Sequence, residues 1–72
     1  MVDVHADMVA SVLRVFAEPG LSVEAGDTLL LLESMKMEIP VIAEIPGTVV
    51  EIRVQAGYVV QEGDVLVTLD AR

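Results

Sequence analysis

The sequence predicts an all-β fold: a flattened eight-stranded barrel or sandwich built on an internal pseudo-twofold repeat. Three observations predict it. Hydrophobic residues make up 54% of the 72 positions, mostly Val, Leu, Ile and Ala, and the β-branched members favour strands. Glycine or proline interrupts every ten-residue window outside residues 1–18 and 27–39, which disfavours helix. A shift of 37 positions lays the chain onto itself without a gap.

The repeat sets the plan. Ala6 falls on Ala43, Val12 on Val49, Gly20 on Gly57 and Val23 on Val60. Gly26-Asp27 falls on Gly63-Asp64, and Leu29 and Leu32 fall on Leu66 and Leu69. Other pairs are conservative, such as Ser11 with Thr48, Val15 with Ile52 and Glu33 with Asp70. Residues 1–35 pair with residues 38–72, so only Lys36 and Met37 are left over at the seam. Halves this small cannot build separate cores and are expected to share one. The symmetry equivalent of the seam is the pair of chain termini. The termini are therefore expected side by side at the end of the molecule away from the seam.

The strands follow in order. Val2 to Ala6 and Ala10 to Ala17 open the first copy. Glu18-Pro19-Gly20 reads as a turn, with proline setting the second φ and glycine allowing a positive third φ. Leu21 to Val23 is a short strand. Glu24-Ala25-Gly26-Asp27 is a second turn, again with glycine where φ is positive. Thr28 to Ser34 is the longest apolar strand. Met35-Lys36 turns the chain, and Met37 to Ala43 returns. The second copy gives Gly47 to Val54, Tyr58 to Val60 and Val65 to Leu69. The 27–39 stretch is rich in helix formers, but its repeat mate Val65 to Asp70 is plainly strand-like, which decides for strand.

Composition excludes several function classes. There is no cysteine, which removes disulfides and thiolate metal sites, and a single histidine argues against a metal site. Packing alone must hold a single domain over residues 1–72. The longest apolar run is four residues, Leu29 to Leu32, far short of the ~20 that span a bilayer. Met1 opens a strand pattern and not a secretory leader, so a cytoplasmic, free-standing module is expected. The net charge of -8 opposes nucleic-acid binding and favours a soluble monomer. No nucleophile–base set, phosphate loop or carboxylate pair is visible, so no catalytic residues are assigned. His5 and Tyr58 read as surface or packing residues.

The seam is different. Residues 33–38 read Glu33-Ser34-Met35-Lys36-Met37-Glu38. Turns normally use Gly, Asn, Asp, Pro or Ser. Here two methionines flank the only lysine of the chain, at the one place that breaks the repeat. Two readings stand side by side: methionines capping the end of the barrel beside an ordinary surface charge, or an amine displayed for chemistry at a projecting hairpin tip.

Glu-Ser-Met-Lys-Met between two repeats resembles the biotin-attachment sequence of the biotinyl/lipoyl domain family, of barrel–sandwich hybrid fold. The resemblance spans essentially the whole chain. Pro46 to Val50, Pro-Gly-Thr-Val-Val, is similar to a family strand start, and Gly26-Asp27 and Gly63-Asp64 are similar to its turn pairs. The chain looks most like the free-standing bacterial members. The resemblance implies covalent biotin on Lys36, with Met35, Met37, Glu33 and Ser34 as motif flanks. It also implies a biotin protein ligase as modifying enzyme. Biotin carboxylase and carboxyltransferase subunits are the implied users, and the chain itself is no enzyme. Asp7 and Ala10 depart from the Pro and Gly common in the family. Phe16 to Ser22 is too short for the protruding thumb of some carriers. Lipoyl domains share the fold and the acidic residue three before the lysine, so lipoate on Lys36 is the alternative, and an unmodified interaction module is a second.

Overall fold

A computed structural model describes residues 1–72. It contains eight strands and no helix: β1 (Val2–His5), β2 (Ala10–Val15), β3 (Ser22–Val23), β4 (Thr28–Ser34), β5 (Met37–Ile42), β6 (Gly47–Ile52), β7 (Val59–Val60) and β8 (Val65–Ala71). They form two four-stranded antiparallel sheets, ordered β1-β8-β6-β3 and β5-β4-β2-β7. Under the 37-residue shift the first order becomes the second. Each sheet therefore takes two strands from each half, and neither half has a sheet of its own.

The core repeats as the sequence does. Leu29, Leu32, Val12, Val23 and Ala6 are buried with their mates Leu66, Leu69, Val49, Val60 and Ala43. The irregularities repeat too. Register shifts between Val12 and Arg14 in β2, and between Val49 and Glu51 in β6. Each bulge bends its sheet around the shared core. The Glu18, Glu24, Gln55 and Gln61 carbonyls each accept the amide three residues on, with glycine at positive φ in the third position of every turn. Asp27 and Asp64 finish two of these turns by accepting the Glu24 and Gln61 amides.

Several strand ends differ from expectation by one or two residues, for local reasons. β1 stops at His5 because both backbone groups of Ala6 bond the 63–64 turn. β2 stops at Val15 because the Phe16 and Ala17 amides share the Leu29 carbonyl. β8 runs on to Ala71 because Asp70 and Ala71 pair with Thr48 and Gly47.

The ends of the molecule lie where the symmetry requires. Val2 is paired with Leu69, so the two termini are neighbours. Arg72 donates to the Val23 carbonyl at 2.7 Å and to the Glu24 carboxylate, beside the turn that starts β4. The β4–β5 tip lies seven residues farther along, roughly 23 Å at strand spacing, in a body 34 Å long. The seam and the termini occupy opposite ends.

Candidate functional site: the β4–β5 tip

The tip is a two-residue hairpin loop. Ser34 pairs with Met37, and Met35 and Lys36 connect them. Both have positive φ, 52° and 64°, the only non-glycine residues that do. Two successive left-handed residues define the turn whose twist matches antiparallel strands, and Asn-Gly is its usual sequence. For residues with a Cβ this backbone costs about 1–2 kcal/mol each. Backbone strain of this kind is held where the flanking structure is strong enough to impose it. Here the β4–β5 ladder runs unbroken from Leu30 to Ser34 opposite Val41 to Met37.

The side chains point outward. Met35 is 91% exposed and Met37 63%, and Lys36 is exposed. The alternative in which the methionines cap the barrel is therefore wrong. The turn carries them past the last core layer, at Leu32, before they could reach it. Lys36 takes part in neither ion pair of the chain, which are Arg53–Glu51 and Arg72–Glu24. Its amine is held by no partner.

One rung below the turn, Glu33 stands opposite Glu38. Like charges facing across a ladder destabilise it slightly. Both are exposed, and Ser34 is half-buried. The five motif residues are thus gathered on one hairpin end. The sheet also brings in residues the motif does not contain: Ser11 pairs with Glu33 on one side and with Val59 on the other. These lie far apart in sequence, and only the strand register could have linked them.

The arrangement suits a covalent passenger. A primary amine on a flexible stem, free of partners and lifted clear of the body, can become an amide without disturbing the core. No buried side-chain polar atom lacks a partner, so modification leaves no interior group unsatisfied. No cluster of three or more potential metal-binding side chains is present.

Comparison with known proteins agrees with this geometry. The family model described as "Biotin-requiring enzyme" matches residues 2–69. A "Biotinylated protein TB7.3 homolog" of Mycobacterium leprae is 49% identical over 67 residues, spanning 93% of this chain and 94% of that protein. A "Biotin/lipoyl attachment protein" of Bacillus subtilis is 41% identical over 66 residues, covering 92% of this chain and 90% of its own. Among solved structures, a single-chain, multi-domain long-chain acyl-CoA carboxylase contains a match with a TM-score of 0.93 at 31% identity, covering 99% of this chain and 7% of that one. This chain belongs to the biotinyl/lipoyl attachment family. Its relatives are biotinylated and biotin-attachment proteins, which supports a biotin carrier role.

Proposed function

We propose that Lys36 is the one residue that carries biotin. The observation behind this is the display of the chain's sole lysine, unpartnered, on a two-residue tip that breaks the internal repeat. A biotin protein ligase is the modifying enzyme. The neutral Lys36 Nζ attacks the activated carboxyl carbon of biotinyl-adenylate, an amide bond forms, AMP leaves, and the amine proton passes to a base of the ligase. When attached, biotin supplies a ureido ring able to take up and give back a carboxyl group.

The chain's own part is positional. The tip holds the arm about one molecular length from the termini, so neither terminus obstructs it. Tethering raises the passenger's effective concentration at the active sites of a biotin carboxylase and a carboxyltransferase. Met35 and Met37 offer a soft apolar collar at the base of the arm. We place this activity in a monomer in the cytoplasm.

The test is competitive modification. The protein is incubated with biotin, lipoate and both ligases, and intact mass and peptide sequencing follow. A biotinyl increment on Lys36 supports the reading. A lipoyl increment moves the chain to lipoate-dependent partners. No increment, under conditions that modify a control domain, defeats it.

A further inference from the structure

The repeat supplies an internal control for the surface. Most outward positions on one sheet have a mate on the other, held by an equivalent backbone. On the β5-β4-β2-β7 sheet, Leu31, Pro40, Ile42 and Val59 stand where Thr68, Asp3, His5 and Ser22 stand on the β1-β8-β6-β3 sheet. Leu31 pairs with Pro40, and Thr68 pairs with Asp3. On the second sheet that pair is polar and satisfied, with the Thr68 hydroxyl donating to the Asp3 carboxylate at 3.0 Å. The fold therefore does not demand apolar residues at these places. One face has them and the other does not.

The apolar face adjoins the tip. Val59, Ser11, Glu33 and Glu38 form one rung across this sheet, directly below the turn-closing Ser34–Met37 pair. Leu13, the bulge residue of β2, lies farther from the tip, between the Val12–Leu32 and Arg14–Leu31 rungs. The acidic pair stands at the tip edge, and the cation of this face, Arg14, lies over the Phe16 ring at 5.9 Å from its centre. An enzyme closing on Lys36 must cover surface that starts at this rung. Its complement is an apolar surface with cationic groups opposite Glu33 and Glu38.

We infer that the outer face of the β5-β4-β2-β7 sheet is the surface that docks on the ligase while Lys36 is modified, and that the opposite face stays in solvent. This rests on the reading of Lys36 as the biotin site. Contact is one-sided although the fold is nearly symmetric.

Leu13 and Val50 are repeat mates on equivalent bulges and are equally exposed, 38% and 40%. They make a matched pair, because truncating either carries a similar structural cost. The experiment uses the full chain with a purified bacterial biotin protein ligase, biotin and ATP, and follows initial rate against carrier concentration. Leu13→Ser with Val59→Ser is expected to raise KM about tenfold with kcat unchanged, while Val50→Ser leaves both at wild-type values. Melting curves of all three proteins are expected to keep one cooperative transition. A wild-type KM in the double variant overturns the inference, as does an equal rise with Val50→Ser. So does a wild-type dimer that the double variant dissociates in sedimentation, which would give the face to a second copy. A wild-type protein that no ligase modifies would instead remove the biotin reading, and the inference with it.

Discussion

The β4–β5 tip and the chain termini are equivalent under the repeat, yet the molecule treats them differently. At the terminal end, Arg72 ties the chain down through the Val23 carbonyl and the Glu24 carboxylate. Its mate at the tip is Met35, which is almost fully exposed and left-handed, and the mate of Glu24 is Gln61. One end is clamped by a charged contact to its own neighbour. The other gives up that contact, accepts two strained residues and places two carboxylates face to face. None of this helps the chain fold. The left-handed turn lifts the lysine clear of the body at a cost in backbone strain.

The sharpest break of the comparison comes from a pair of mates inside the halves. A Cβ on Gly47 would lie 2.6 Å from the Asp70 carbonyl oxygen, whereas its mate Ala10 already fits a methyl in a buried site. Gly47→Ala is expected to destabilise the fold by about 2–3 kcal/mol in chemical denaturation. Ala10→Gly should cost only about 1 kcal/mol. Equal costs would mean that the halves pack alike here. Next come Gly26 and Gly63, both left-handed with open space around them. Valine at either is expected to cost about 1–2 kcal/mol from backbone strain alone, and the two losses should match, since the turns are mates. The smallest effects lie at the tip. Met35→Gly should stabilise by about 0.5–1 kcal/mol by relieving strain. Lys36→Ala should stay within about 0.5 kcal/mol of wild type, because no core or ion pair depends on it. A large loss from Lys36→Ala in a thermal melt would place the turn elsewhere.

Much of this architecture is legible in the residues. Val12 with Val49 and Leu29 with Leu66 mark core positions before any strand is drawn, and the repeat excludes a helix at 27–39. Lys36 is conspicuous because it is the only lysine of the chain and one of the two residues without a mate. Other features leave no local signal. The left-handed tip lacks Asn-Gly, the pair that normally announces it, because the strand ladder and not the turn residues imposes the conformation. The exchange of strands between halves depends on which edges meet in space, and alternation along a strand is silent about that. The strand ends at His5 and Val15 are set by hydrogen bonds to turns and strands distant in sequence. Ser11 and Val59 beside Glu33 likewise require the register.

The most direct test of the account is the mass of the ligase-treated protein beside its Lys36→Arg variant, with proteolytic peptides of each. Wild type is expected to gain one biotinyl group, on the peptide holding Met35-Lys36-Met37, and Lys36→Arg none, with both folded. A biotinyl group retained by Lys36→Arg, or found on any other residue of the wild type, would contradict it.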